Sequence, residues 1–150
     1  MSKINFALRI IQKCAGPQAL KSIYYAHFQS IMSYGIEFWG HAAYYLLLRV
    51  FKLQKQAIRL LAGVGPIESC RKLFPALEIL PLPALYISHI LIFFKNNPQY
   101  LNHAKISHNY ETRHKNNNLV LSKHKTKAFE NGAIYAGQTF YNKLRKKKNY

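Results

Sequence analysis

The stretch that decides the fold runs from Ser30 to Pro83 and contains four segments in a fixed order. They are SIMSYGIEFWG (Ser30–Gly40), FKLQKQAIRLLAGVGP (Phe51–Pro66), SCRKLF (Ser69–Phe74) and LEILPLP (Leu77–Pro83). In turn they indicate a helix end with an aromatic turn, a basic amphipathic helix, a short helix and a proline-punctuated segment. Helical periodicity dominates this region, and we therefore predict an all-α fold.

Working outward, the same periodicity predicts a bundle of about five to six helices. We expect helices from Ser2 to the Gly16-Pro17 stop, from Pro17 to Gly35, from Tyr44 to Leu61, from Ser69 to Phe74, from Pro83 to Lys95 and from Ala128 to Leu144. Gly35 and Gly63 are placed to end the second and third helices, because glycine readily adopts the left-handed conformation of a helix end. The helix from Pro83 is apolar on nearly every side, which predicts that it is the central element of the core.

The composition divides the chain at residues 95 and 127. Residues 1–95 are predicted to form the helical domain, and residues 96–127 are polar and rich in Asn, His and Lys. We expect this polar segment to consist of loops with a short strand at Leu119–Leu121. Residues 128–150 are predicted to form a C-terminal helix, weakened by Gly132 and Gly137, and a frayed basic tail. The C-terminal third is therefore expected to be irregular.

The net charge points to a polyanionic partner. Lysine and arginine number 22 against 5 acidic residues, which gives a formal charge of +17. Such a charge predicts attraction to polyanions and association that weakens with salt. A solvated surface is the alternative, but solvated surfaces normally mix both signs of charge.

The cysteine content and the lack of a signal sequence indicate the cellular compartment in which we expect the protein. Cys14 and Cys70 are too few for a disulfide framework or a complete zinc site, and we expect both to be small core residues in a reducing compartment. No basic segment leads into an apolar run with a cleavage site, and no apolar run is long enough to cross a membrane. We expect an intracellular protein, nuclear or cytoplasmic, that is not secreted.

The acidic residues offer no catalytic arrangement. The chain contains no aspartate, and its five glutamates are each at least ten residues apart. Nucleotidyl transfer requires two metal ions clamped by closely placed carboxylates. The histidines of the polar segment, at His103, His108, His114 and His124, lack the i, i+4 spacing of a helical zinc site. We therefore predict no catalytic residue, no metal site and no cofactor in this chain.

A ridge of cations is the positive signal. Lys52, Lys55 and Arg59 share one side of the third predicted helix, and no acidic residue lies at helical spacing from them. Such a ridge can contact successive phosphates of one strand without reading bases. A solvated helix face remains the alternative. Weaker candidates of the same kind are Arg71, Arg113, Lys115, Lys143, Arg145, Lys146 and Lys147.

The aromatic cluster Tyr34, Phe38 and Trp39 has two interpretations. Aromatic side chains can stack on unpaired bases. Between two helices, however, such a cluster more often packs the corner into the core. We favour the packing interpretation.

The order of these segments resembles the region after the polymerase core in jockey-like insect non-LTR retrotransposon reverse transcriptases. The resemblance is carried by LKSIYYAHFQSIMSYGIEFWG (Leu20–Gly40), FKLQKQAIRLLAGVGP, SCRKLF…LEILPLP, ETRHKNNNLVL (Glu111–Leu121) and YAGQTFYNKL (Tyr135–Leu144). It implies that the chain is the thumb and post-thumb region of an RNA-directed DNA polymerase from a mobile element, truncated before the catalytic palm. Residues 1–95 would then be a thumb-like helical domain.

The resemblance also implies partners. A polymerase thumb steadies the primer–template duplex through its backbone, so an RNA–DNA or DNA duplex is the expected ligand, with Lys52, Lys55 and Arg59 as the phosphate contacts. Mg²⁺ would serve the parent polymerase, whose metal ligands this chain lacks. A missing polymerase core acting in trans is a further expected partner. Without that core, an apolar face on the first two helices should be exposed and favour self-association.

Two other classes of function remain open. One is a free-standing basic nucleic-acid-binding module, which requires a self-sufficient core and no orphaned apolar face. The other is a peripheral binder of anionic membranes that uses the basic tail and an amphipathic helix.

Overall fold

A computed structural model describes residues 1–100, 119, 121 and 123–148, with side chains up to residue 144. The all-α prediction is confirmed, because these residues form eight α-helices and no β-strand. The helices are α1 (Ser2–Ile11), α2 (residues 17–33), α3 (Ile36–Trp39), α4 (Tyr44–Ala62), α5 (Leu73–Ala76), α6 (Leu82–Asn96), α7 (Lys127–Glu130) and α8 (Ala133–Lys148). A single 3₁₀ turn, Pro98–Tyr100, follows α6. The chain forms two compact units, Met1–Tyr86 and Ile87–Tyr150, whose boundary lies inside α6.

Helix α2 provides the largest buried side chains of the first unit. It is continuous but changes character, with α-helical turns at Pro17–Ile23 and Ser30–Ser33 on either side of a π-helical stretch, Tyr24–Gln29. In a regular α-helix, residues four apart drift by about 40° around the axis. The wider π turn reduces that drift and aligns Tyr24, Phe28 and Met32, which are all fully buried. The rings of Tyr24 and Phe28 stack with centroids 5.3 Å apart.

Helix α4 begins and ends almost where the sequence places it. Gly63 has φ +65°, the left-handed conformation that closes the helix. Its N–H donates to the Leu60 carbonyl at 3.2 Å, and the N–H of Val64 donates to the Arg59 carbonyl at 3.1 Å. This pair of bonds is the Schellman arrangement. Gly35, with φ +60°, similarly follows the end of α2.

A buried amide connects α4 to two other elements of the first unit. Gln54 is fully buried, and its Nε2 donates to the Tyr24 hydroxyl at 3.1 Å and to the Leu80 carbonyl at 2.9 Å. Its Oε1 accepts the N–H of Leu82, the first residue of α6, at 2.9 Å. Both polar atoms of this buried side chain therefore have hydrogen-bond partners within the protein. The amide fixes α2, α4 and the start of α6 relative to one another.

The aromatic corner after α2 differs from the prediction. It forms a single helical turn, α3, whose buried residue is Ile36. Tyr34 and Phe38 are 86% and 78% exposed, so the interpretation that they pack into the core is wrong. Phe38 lies about 200° around the turn from Ile36 and therefore faces away from the core. Trp39 is half-buried, and its indole N–H donates to the Tyr34 carbonyl at 2.9 Å.

The short helix after α4 is shifted along the chain. It was expected at Ser69–Phe74, but α5 spans Leu73–Ala76 and includes Pro75. A proline is tolerated in a first helical turn because its missing N–H has no intrahelical partner there. The turn closes at Glu78, which has φ +56°, and the Glu78 carboxylate pairs with Lys21 at 3.4 Å.

Helix α6 has the expected bounds but is not buried on every side. Leu82, Leu85 and Tyr86 are buried in the first unit, whereas Ile87 and Ile92 are exposed. The Tyr86 ring lies directly against Gly40, leaving no room for a Cβ there. Ile90 and Phe94 are also buried, so α6 contributes five residues to the core, while α2 supplies the larger fully buried side chains of the first unit. The central position of α6 stays a prediction.

The described part of the second unit is more regular than expected. The helix predicted at Ala128–Leu144 is two helices, separated at Asn131 and Gly132, and α8 continues to Lys148 instead of fraying. Gly137 allows the Phe94 ring to pack directly on α8. No strand occurs in the described parts of residues 119–121. Leu119 instead forms two hydrogen bonds with the Asn142 side chain, at 2.8 and 3.1 Å.

Replacing Gln54 should destabilise the fold strongly. In the Gln54→Leu variant, the Tyr24 hydroxyl, the Leu80 carbonyl and the Leu82 N–H lose their buried partner. We expect the free energy of unfolding to fall by about 3 kcal/mol in urea denaturation. The matched control, Gln18→Leu on the exposed first turn of α2, should change it by less than about 0.5 kcal/mol. Equal effects of the two variants would contradict the role of Gln54.

Because of Tyr24, the free energy of unfolding should depend on pH in the alkaline range. Burial raises the pKa of Tyr24 from 10.0 to about 12, while the Gln54 hydrogen bond partly opposes that rise. Below pH 10 the stability that the neutral, buried Tyr24 hydroxyl contributes is fully present. It is lost as pH rises from 10 towards 12, because the unfolded chain ionises first, and the loss reaches about 2–3 kcal/mol.

The Tyr24→Phe variant tests this contribution. The difference in unfolding free energy between the parent chain and Tyr24→Phe, measured from pH 8 to 12, should change by that amount. Tyr34→Phe, at an exposed tyrosine, is the control and should leave the pH dependence unchanged. A constant difference between the parent chain and Tyr24→Phe would refute the prediction.

Candidate nucleic-acid interface

The cations of α4 are positioned by the helix's buried face. Gln54, Ala57, Ile58 and Leu61 point into the core, so Lys52 is exposed and Lys55 and Arg59 are half-buried at the edge. Phe51, Lys55 and Arg59 follow one another at intervals of four residues and therefore lie along one side of α4.

These side chains line a groove of about 660 Å³ between α4 and residues 69–81. We call it the basic groove. Its cations are Lys55, Arg59 and Arg71, and its apolar surface includes Phe74 and Ile79. None of its lining residues is acidic. The groove therefore combines three cations with an apolar lining.

Lys55 is oriented by an aromatic ring. Its Nζ lies 4.4 Å from the centroid of the Phe51 ring, within the range of a cation–π interaction. The Phe51 ring stacks on that of Phe74, with centroids 6.1 Å apart. Because the rings carry no charge, they orient the ammonium group without neutralising it.

Arg59 has a structural contact in addition to its place in the groove. Its Nε donates to the Glu68 carbonyl at 2.7 Å. The Cys70 thiol approaches the Lys55 carbonyl at 3.6 Å, so residues 68–70 are attached to α4 at two points. The two amino groups of the Arg59 guanidinium are the part suited to contact an anion. Cys70 is buried as expected, but Cys14 is exposed.

The other predicted cations are distributed over both units. Lys52 is exposed on α4 but does not line the basic groove. Lys143 is exposed on α8, and Arg145, Lys146 and Lys147 lie in the last turns of the same helix. Arg113 and Lys115 lie outside the described residues. The structure thus brings together three of the predicted residues, Lys55, Arg59 and Arg71.

Sequence reasoning missed two features of the first unit. Gln54 lies three and seven residues before Ala57 and Leu61, a spacing that assigns it to the buried stripe of α4. That spacing was sufficient to predict that Gln54 is buried. Arg9, on α1, lies near Arg59 in a second pocket, and no spacing in the sequence indicates this proximity.

Two absences among the described residues concern metals and membranes. No group of three or more His, Cys, Asp or Glu side chains in this part of the chain could hold a metal ion. Among the same residues, no helix combines the length and apolar character needed to cross a membrane.

Comparisons with protein families, with curated proteins and with solved structures found no match. The similarity to reverse transcriptases of jockey-like elements accordingly stays a prediction from the sequence.

The contact between Arg59 and Glu68 should be measurable in stability. Arg59→Gln removes a hydrogen bond from a charged donor, and we expect the free energy of unfolding to fall by about 1 kcal/mol. Lys52→Gln removes the same charge from an exposed position and should change it by less than about 0.5 kcal/mol. Equal values in parallel urea titrations would mean that the contact contributes nothing.

Proposed function

We propose that this chain binds nucleic acid through backbone phosphates, with the basic groove and Lys52 as the contact surface. The observation that carries the proposal is the grouping of Lys55, Arg59 and Arg71 around one groove without an acidic side chain. Phosphate contacts of this kind position a protein on a strand without reading sequence. The expected ligand is an RNA–DNA or DNA duplex.

The charge of the first unit supports this proposal. Residues 1–86 contain ten lysines and arginines and three glutamates, a formal charge of +7. Among those glutamates, Glu78 already pairs with Lys21. An anionic strand at the groove would therefore encounter an uncompensated positive field and release its own counterions on binding.

The wider proposal is that the chain corresponds to the thumb and tail of a retrotransposon reverse transcriptase. In that setting it grips template and primer, while a polymerase core in trans supplies catalysis and Mg²⁺. The sequence order supports this identity, together with exposed apolar residues on the first two helices, Phe6, Ile10 and Ile31. Such residues suit contact with a polymerase core or with a second copy of the chain. This function belongs inside the cell, in the nucleus or cytoplasm.

The test is a salt titration of binding to an RNA–DNA hybrid, followed by fluorescence anisotropy. The Lys52→Gln, Lys55→Gln, Arg71→Gln triple variant removes three cations and keeps the contact between Arg59 and Glu68. Each phosphate contact contributes about 0.9 to the slope of log affinity against log salt. We expect the triple variant to lower that slope by about 2–3 and to weaken binding to all sequences alike.

The matched control removes three exposed cations from other positions, Lys3→Gln, Lys13→Gln and Lys95→Gln. It should retain most of the slope. Equal losses in the two triple variants would mean that total charge, and not the groove, governs binding. Anionic vesicles added as competitor separate the membrane alternative, since stronger binding to vesicles than to the hybrid at matched salt would overturn the proposal.

A further inference from the structure

A second pocket lies between α1, α4 and the turn that follows α4, with a volume of about 440 Å³. We call it the α1–α4 pocket. Its polar lining comes from Asn5, Arg9, Gln56 and Arg59, and Val64 and Pro66 form part of an apolar wall. This volume falls within the range of small-molecule sites, about 300–1,000 Å³. No acidic residue lines it.

Two guanidinium groups give the α1–α4 pocket its charge. Arg59 is held by its bond from Nε to the Glu68 carbonyl, and Arg9 is exposed at the C-terminal end of α1. Two arginines that line one pocket without an acidic residue create a positive potential that attracts an anion. Guanidinium groups pair with phosphate oxygens in bidentate fashion, so a phosphate dianion matches this pair better than a singly charged carboxylate.

Asn5 adds a second, independent indication of a ligand. The residue is only 7% exposed, and its Nδ2 donates to the Leu53 carbonyl at 3.0 Å and to Gln56 Oε1 at 3.3 Å. Both partners are acceptors, so they fix the orientation of the amide. Its buried Oδ1 then has no hydrogen-bond partner among the described residues. An unsatisfied buried acceptor costs about 1–3 kcal/mol. Because this oxygen is sealed from the pocket surface, a ligand N–H or O–H reaches it and removes that cost only when a neighbouring side chain, such as the exposed Gln56, moves aside.

We propose that the α1–α4 pocket binds a phosphate monoester of mononucleotide type. Arg9 and Arg59 contact the phosphate, Asn5 Oδ1 accepts a hydrogen bond from the base or sugar, and Val64 and Pro66 contact its apolar surface. The monoester can be a free mononucleotide or the phosphorylated end of a strand. The α1–α4 pocket shares Arg59 with the basic groove, and every other lining residue differs between the two.

Calorimetric titration of the full chain with AMP, adenosine and inorganic phosphate tests the pocket. The parent chain should bind AMP more tightly than either of the other two probes. Arg9→Gln should weaken AMP binding by about 10- to 100-fold, the effect of losing one hydrogen-bonded charge. Lys13→Gln, which removes an exposed cation after α1, should leave it unchanged. Circular dichroism checks that both variants are folded.

Three outcomes would overturn the proposal. They are an absence of AMP binding to the parent chain, equal binding by Arg9→Gln, and inorganic phosphate or adenosine binding as tightly as AMP. Oligonucleotides with a 5′-phosphate or a 5′-hydroxyl then distinguish the sources. Preference for the phosphorylated end assigns the ligand to a strand terminus, and equal binding assigns it to the free mononucleotide.

The proposals for the basic groove and for the α1–α4 pocket can be refuted independently of each other. The Lys52→Gln, Lys55→Gln, Arg71→Gln variant changes no residue of the α1–α4 pocket and should retain AMP binding. Arg9→Gln should retain the salt slope for hybrid duplex to within about one phosphate contact. Loss of AMP binding in the triple variant would show that AMP is held by the basic groove and would refute the α1–α4 pocket.

Discussion

The buried amide of Gln54 is the constraint on which the first unit depends. Its three hydrogen bonds attach α4 to Tyr24 of α2 and to Leu80 and Leu82 at the start of α6. In the buried interior each of these bonds is strong, and each unpaired partner would be costly. Hydrogen bonds are directional, so those of the amide add a register constraint to the apolar packing of α4. That register sets the direction in which the side of α4 with Lys55 and Arg59 faces.

Neutral partners orient the two cations of α4. Lys55 lies over the Phe51 ring, and Arg59 donates to a backbone carbonyl. A carboxylate in either place would orient the cation equally well but would cancel its charge. Rings and carbonyls fix geometry and leave the positive field in place. This arrangement favours an anionic partner more specifically than the total charge of +17 does.

Sequence reasoning succeeded where one local rule decided the outcome. The bounds of α4 and the left-handed glycines Gly35 and Gly63 follow from helical spacing and backbone sterics. It failed where tertiary contacts decided, as at Tyr34 and Phe38, whose aromatic character says nothing about which side of a one-turn helix faces the core. Gly137 was expected to weaken the C-terminal helix. Its contact with the Phe94 ring, which favours glycine there, could not be predicted from the sequence.

The candidate site was predictable to a similar extent. Spacing alone groups Lys52, Lys55 and Arg59 on one side of a helix. Arg71 was a candidate from its charge, but spacing could not place it beside the other cations. It lines the basic groove because residues 68–70 are attached to α4 by the Arg59 and Cys70 contacts. Arg9 is farther still from Arg59 in sequence, and the packing of α1 on α4 through Asn5 accounts for its position.

Arg59 connects these features because it lies three residues before the end of α4. Its carbonyl accepts the N–H of Val64, which fixes one wall of the α1–α4 pocket, while its Nε holds Glu68 at the start of the segment that lines the basic groove. A lysine here could also donate to the carbonyl, but its three N–H donors all lie on one nitrogen. The planar guanidinium holds the carbonyl with one nitrogen and directs two others elsewhere. The position of one arginine at a helix end thus determines the geometry of both cationic sites.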